Sequence, residues 1–351
     1  MYLEFFDLHR HPFRITPEDD FIYMSRQHSR AYVYMSSAIW TSEGFVVISG
    51  EIGSGKTTLL KKTIRNLEGD LKLLSISYTN LESKDLFGLI LRKAGLKIEN
   101  ESKVAMLFQI TEYLEHMATS GTPVILAIDE AQNLTRENLE DIRMLIGMDS
   151  MGSPSMRVIL LGQPELKQAV TAIPQLSQRV KLFFHLEGLS QSETADYIDY
   201  RLLVSGHGGN KLFDEDTVSE IHKLSKGIPR LINKLCDGMM MCAYSEDRPF
   251  IDPYDLQGIR KDLLGEDLSK NAPAIPPRKK KPSNSNSNPA PSSSAKQDEW
   301  SNAASALTRI ADALESIDTR LAKAFSEEPQ SRGGAYGSGD NVKPLSPNRK
   351  K

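Results

Sequence analysis

Cysteine is nearly absent. Cys236 and Cys242 are the two in 351 residues, and neither has the His and Cys neighbours of a zinc pattern. A disulfide framework and a zinc site are therefore excluded, and both thiols read as small buried hydrophobes of a reducing compartment. Long apolar runs are missing too: no stretch of about eighteen apolar residues, the length a helix needs to cross hydrocarbon, occurs in the chain. The opening residues Met1-Tyr2-Leu3-Glu4-Phe5-Phe6-Asp7 are acidic where a secretion signal is basic, and they hold no apolar core of adequate length. The expected location is the cytoplasm, with no membrane span. Charge of one sign is also lacking. Lys and Arg number 43 against 46 Asp and Glu, a net charge of −3, so no overall basic field points to nucleic acid, although local patches remain open.

What the chain does contain is one dense motif. Gly50-Glu51-Ile52-Gly53-Ser54-Gly55-Lys56-Thr57-Thr58 fits G-x-x-x-x-G-K-[ST], follows the apolar run Phe45-Val46-Val47-Ile48 and precedes Leu59-Leu60-Lys61-Lys62-Thr63-Ile64. A strand that feeds a glycine-rich loop opening a helix is a phosphate-binding loop. Glycines let the backbone wrap phosphates with its N–H groups inward, and the helix N-terminus adds positive potential. Gly50 through Thr58 are thus assigned to a nucleotide, with Lys56 reaching the β- and γ-phosphates and Thr57 supplying a hydroxyl to Mg²⁺.

Upstream, residues 1 to about 40 are rich in aromatics and carry Pro12 and Pro17. Helical spacing of Ala31, Tyr32, Met35, Ala38 and Ile39 predicts a helix from Ser25 to Trp40. A segment just before a phosphate loop is placed to cover the adenine, with Phe13 or Tyr23 stacking on it; the other reading has these aromatics packing the edge of the core. Downstream, apolar runs predict strands at 45–49, 71–77, 124–128, 157–161 and 181–186, alternating with helices at 56–67, 83–94, 102–120, 135–147 and 164–171. Repeated strand–helix units imply an α/β fold, a parallel sheet covered by helices on both faces.

The strand Val124-Ile125-Leu126-Ala127-Ile128 ends in Asp129-Glu130, the form of a Walker B element. A parallel sheet gathers its C-terminal strand ends on one edge, so Asp129 is expected beside the phosphate loop, holding Mg²⁺, with Glu130 polarising the attacking water. Asp-Glu at a strand end can also simply begin a polar loop. Gln163, in Gly162-Gln163-Pro164-Glu165 after the fourth strand, is placed to orient water near the γ-phosphate; otherwise this turn only starts the next helix. Arg179, before the fifth strand, either faces a neighbouring subunit's nucleotide or is a solvated residue at a strand entry, and Arg143 is a second candidate.

From Ser190 the pattern is wholly helical, as in a small lid domain. Ser190-Gln191-Ser192-Glu193 reads as a capping box opening a helix to about Ser205; others run from Asp214 to Ser225 and from near Pro229. Between the last two, Lys226-Gly227-Ile228-Pro229-Arg230 sets Arg230 at a helix start, facing the cleft between domains.

Taken together, Tyr2…Phe5-Phe6…Pro12-Phe13…Thr16-Pro17, Gly44-Phe45-Val46 with the phosphate loop, Ile128-Asp129-Glu130-Ala131-Gln132, Leu161-Gly162-Gln163-Pro164-Glu165-Leu166 and Gly227-Ile228-Pro229-Arg230-Leu231-Ile232-Asn233 closely resemble the ExeA/GspA-type AAA+ ATPases. That family includes the pilus-biogenesis ATPase MshM and is more distantly similar to TniB/TnsC-type transposition ATPases. The resemblance covers roughly residues 1–265. It implies an AAA+ core at 1–188 with an N-terminal adenine-side segment, a helical lid at 189–265 and a commonly oligomeric state. It also implies Lys56 and Thr57 on ATP and Mg²⁺, Asp129 and Glu130 in Walker B, Gln163 as first sensor, Arg179 as a possible finger and Arg230 as second sensor. Secretion members of the family often continue into a membrane span and a peptidoglycan-binding domain, neither of which is in this chain.

The remainder divides into a disordered Pro-, Ser- and Asn-rich linker at 266–297, a helix at 298–328 and a disordered tail at 329–351. Trp300, Ala303, Leu307, Ile310, Leu314, Ile317, Leu321 and Ala324 alternate three and four residues apart, a heptad seam suited to oligomerisation or to docking a protein partner. Arg278-Lys279-Lys280-Lys281 is a basic run of the kind that is usually solvated. The expected function is an ATPase that drives or switches a cytoplasmic assembly of a secretion, pilus or envelope machine. The alternative is an ATP-dependent DNA-associated regulator of transposition or recombination, and a scaffold gated by ATP binding alone is disfavoured by the Asp129-Glu130 pair.

Overall fold

Alternation within the strands decides how the sheet is covered. The strands are β1 (Gly44–Gly50), β2 (Lys72–Ile76), β3 (Val124–Ile128), β4 (Met156–Gly162) and β5 (Val180–Leu186), all parallel, in the order β2-β3-β4-β1-β5. Each lies within one residue at either end of its predicted range. Phe45 and Val47 of β1, Leu126 of β3 and Val158 of β4 face one core; Val46, Ile48, Ala127 and Ile159 face the other. Period-2 alternation of wholly apolar strands is what a sheet buried on both sides requires.

The helices, in chain order, are α1 (Tyr2–Phe5), α2 (Arg26–Thr41), α3 (Lys56–Arg65), α4 (Ser83–Ala94), α5 (Lys103–Thr119) and α6 (Arg136–Gly147). They continue with α7 (Glu165–Thr171), α8 (Pro174–Ser177), α9 (Gln191–Val204), α10 (Glu215–Ser225) and α11 (Pro229–Ser245). Residues of α2 and α3 cover one face of the sheet, and those of α4 to α8 the other. The one-turn α8 was not predicted; it is too short for its periodicity to register, although Pro174 at its first turn marks its start. The computed structural model describes residues 2–256 and 259, except 17, 42–43, 67–69, 78–80, 148–155 and 209–210. The linker, the heptad-patterned helix and the tail lie outside the described residues. Among the described residues no helix is long and apolar enough to cross a membrane.

Helices α9, α10 and α11 form the lid predicted after the sheet. The capping box is present: the Ser190 hydroxyl accepts from the Glu193 N–H, and Glu193 accepts from the Ser190 N–H. Residues 2–13, expected to cover the adenine or to pack the edge of the core, belong instead to the packing of the lid. Tyr2, Phe6, Leu8 and Phe13 are buried in the lid's own core, among Tyr197, Ile232 and Met239. The Tyr2 hydroxyl donates to Asp237 of α11 at 2.6 Å, and the His9 N–H to the Ser205 carbonyl at 2.8 Å. Three short helices cannot bury their apolar stripes by themselves, and the N-terminal aromatics complete that core. Phe13 therefore cannot stack on a base: it packs edge-to-face on Phe213 with ring centroids 6.0 Å apart. Cys236 is buried in the same core, which pushes its thiol pKa well up, and Cys242 is half-buried. Neither is poised for redox chemistry.

Candidate nucleotide site

Sheet order brings the predicted residues together. β4 lies between β1 and β3, so the phosphate loop after β1, Asp129 after β3 and Gln163 after β4 emerge on one edge. Above that edge is a cleft of about 310 Å³ that takes Lys56, Thr57 and Glu130 from the sheet side. Arg230 and Asn233 from α11, and Thr16 and Tyr23 from the N-terminal segment, line its other walls.

Lys56 is buried, and its Nζ donates to the Gly50 and Glu51 carbonyls at 2.8 and 2.9 Å. An ammonium has three donors, so one is left for a phosphate. Burial holds the Lys56 pKa below the usual lysine value, while the carboxylates of Glu130, Asp129 and Glu51 pull it back up. Thr57 Oγ1 donates to Asp129 Oδ2 at 2.6 Å. A hydroxyl and a carboxylate in contact are hard oxygen donors, and Mg²⁺ takes one or two such protein ligands beside phosphate and water. That chemistry fits the observation that, among the described residues, no cluster of three or more His, Cys, Asp or Glu could hold a metal by itself.

Lid and loop touch directly. The Arg230 N–H donates to the Gly53 carbonyl at 3.3 Å. A Cβ on Gly53, which has φ 86°, would stand 2.4 Å from Arg230 Cβ. Any side chain there would push the lid off the loop, so glycine is required for contact as well as for conformation.

Of the remaining predicted residues, Glu130 stands at the cleft in left-handed backbone, φ 54°, a conformation it shares with Asp7, Lys226 and Asp247. Tyr23 lines the cleft with its ring edges against Tyr197 and Tyr200. The Gln163 N–H, rather than its side chain, makes the recorded contact on that edge, donating to Gln132 Oε1 at 3.0 Å. Arg179 is half-buried, donates to the Arg143 carbonyl at 3.3 Å and does not line the cleft, nor does Arg143.

Three residues escaped sequence reasoning. Arg201 of α9 is buried with its guanidinium 4.6 Å from the Phe21 ring centre, and it donates to the Pro12 carbonyl, the Arg14 carbonyl and the Tyr197 hydroxyl. It fastens the N-terminal segment to the lid through carbonyl dipoles and an aromatic face, with no carboxylate partner among the described residues. An arginine one turn after Tyr197, on a buried stripe, was the available signal. Gln132 is the second, treated below.

His28 is the third, buried beneath the phosphate loop. Its Nε2 lies 3.0 Å from the Ser54 carbonyl and its Nδ1 2.7 Å from the Ser25 hydroxyl. A carbonyl only accepts, so Nε2 carries the proton and Nδ1 accepts from Ser25. Burial pushes the imidazole pKa down, opposed by the Ser54 hydrogen bond and the Glu193 charge. The folded protein thus holds His28 neutral where the unfolded chain binds a proton below about pH 6.5. Its contribution to stability is complete above that pH and declines as pH falls from there through the lower folded value. The thermal midpoint of His28→Gln is expected to be lower than wild type at pH 7.5 but to fall less between pH 7 and 5.5; parallel falls would contradict the assignment.

With this geometry, the comparisons with known proteins are consistent. Residues 40–170 match the AAA domain family. The fold and the phosphate-loop motif are those of an AAA domain. Over 272 residues the sequence is 31% identical to General secretion pathway protein A of Aeromonas hydrophila, an alignment covering 75% of this chain and 50% of the relative. The chain is similar to that secretion relative over the AAA domain and the helices that follow it, and it spans half the relative's length. Solved structures of similar fold include Cdc6p of Pyrobaculum aerophilum, with TM-score 0.55 and 15% identity over 71% of each chain. The Drosophila ORC bound to DNA is another, with TM-score 0.55 and 15% identity over 76% of this chain and 67% of that one. At such identities the likeness is one of fold.

Proposed function

We propose that this chain hydrolyses ATP in the cleft between sheet and lid, and that the nucleotide's state sets the lid's position in an oligomeric cytoplasmic assembly serving an envelope secretion or pilus machine. The observation that carries the reading is the meeting of Lys56, Thr57, Asp129, Glu130 and Arg230 around one cleft. Lys56 binds the β- and γ-phosphates. Thr57 and Asp129 hold Mg²⁺, which when bound neutralises charge on the phosphate oxygens. Glu130 accepts a proton from the attacking water as the bond from the γ-phosphorus to the bridging oxygen breaks, leaving ADP and inorganic phosphate. Gln163 orients that water, Arg179 serves a neighbouring subunit's site, and residues 298–328 join the chain to its copies or to a protein partner. The envelope role follows the printed name of the secretion relative.

Arg230 tests the lid coupling. If its guanidinium reads the γ-phosphate, Arg230→Ala is expected to weaken ATP about tenfold to a hundredfold, the worth of one charge-assisted hydrogen bond, and to spare ADP. Equal weakening of both nucleotides in titration calorimetry would remove the assignment. ATP-dependent sedimentation as an oligomer supports the assembly reading. Binding of duplex DNA that requires ATP and declines steeply with salt would move the function to DNA.

A further inference from the structure

One side chain joins the Walker B glutamate to the neighbouring strand. Gln132 Nε2 donates to Glu130 Oε2 at 2.7 Å, and its Oε1 accepts the Gln163 N–H at 3.0 Å. The half-buried Gln132 amide therefore spans from the carboxylate at the cleft to the end of β4. Glu130 is constrained from its other side as well, since its N–H donates to Asp129 Oδ1 at 3.0 Å and its backbone is held at φ 54°. The approach of the amide depends on Gly162: a Cβ there would lie 2.6 Å from Gln132 Oε1. Carbonyl and amide ends are both in use: the NH₂ group donates to a carboxylate while the carbonyl oxygen accepts a backbone N–H, a pairing that neither glutamate nor a truncated side chain reproduces.

We propose that Gln132 is a positioning residue that aims the Glu130 carboxylate from the end of β4, so that displacement of that strand end moves the group that accepts water's proton. The proposal rests on Glu130 as that acceptor. Losing the tether leaves the nucleotide's own contacts in place and frees a carboxylate to rotate, so the effect falls on turnover and not on affinity.

The test uses the full chain and measures ATP turnover and nucleotide affinity, beside circular dichroism to confirm the fold. Gln132→Ala is expected to lower kcat about tenfold to a hundredfold with ATP affinity within twofold of wild type. Gln132→Glu retains an acceptor for the Gln163 N–H but replaces the donor to Glu130 with a second carboxylate, and it is expected to lower kcat as Gln132→Ala does. Gly162→Ala, whose Cβ would lie 2.6 Å from Gln132 Oε1 and 2.9 Å from the buried Leu166 side chain, is expected to lower kcat as Gln132→Ala does while the fold is retained. Unchanged kcat in Gln132→Ala would overturn the proposal, as would wild-type kcat in Gln132→Glu or loss of affinity in step with loss of rate. Glu130→Gln, assayed in parallel, separates the two ideas. If it turns over like wild type, the acceptor assignment fails; if it is inactive while the Gln132 variants are unimpaired, only the tether fails.

Discussion

Lys56→Ala is expected to lose nucleotide binding by roughly a hundredfold to a thousandfold, the worth of one or two charge-assisted hydrogen bonds. Two effects add. The phosphates lose the cation at the head of α3. The loop also loses its internal fastening, because the Lys56 ammonium ties the Gly50 and Glu51 carbonyls at 2.8 and 2.9 Å. Arginine is not expected to rescue: its longer planar fork does not fit where a compact ammonium lies 2.8 Å from one carbonyl and 2.9 Å from the other. Titration with ATP and Mg²⁺ measures this, beside circular dichroism to confirm the fold; a folded variant within tenfold of wild-type affinity would refute the role of the loop. Such a result would take the proposed ATPase with it.

The second large effect is kinetic. Glu130→Gln is expected to bind ATP as wild type does and to slow hydrolysis about a hundredfold to ten-thousandfold, the range that a positioned base contributes. The substitution is nearly isosteric and leaves the Asp129 carboxylate to accept from the Thr57 hydroxyl at 2.6 Å. Its cost should therefore appear in the rate and not in binding or in the thermal midpoint. Phosphate release under single-turnover conditions separates chemistry from product release. Equal rates in the two proteins would transfer the proton acceptor to another group.

Much of this molecule was readable from residue order, because its signals are local. The strands declare themselves as short apolar runs, and the phosphate loop, the carboxylates after β3 and the capping box at Ser190 are contiguous motifs. What misled was direction in space. Phe13 and Tyr23 stand near each other in sequence and both looked suited to a base, yet Phe13 is sealed in the lid core against Phe213 while Tyr23 lines the cleft. Gln163 follows β4, which only the sheet order sets between the strands that carry the two Walker elements. The contact recorded there, however, comes from its backbone, and the side chain that reaches Glu130 is Gln132. His28 and Arg201 carried only the faint marks of a polar residue at a helix start or on an apolar stripe.

By itself the sequence determined that this chain makes a parallel sheet between helices, sets a glycine-rich phosphate-loop motif at the head of α3 and ends β3 in two carboxylates, since spacing along a strand or helix is enough to specify each. Only the tertiary structure decided that the first residues belong to the lid, that Arg201 and His28 brace the cleft from beneath and beside it, and that an amide links Glu130 to β4. Those arrangements depend on contacts between segments far apart in the chain, where burial and hydrogen-bond satisfaction select the partner and periodicity is silent.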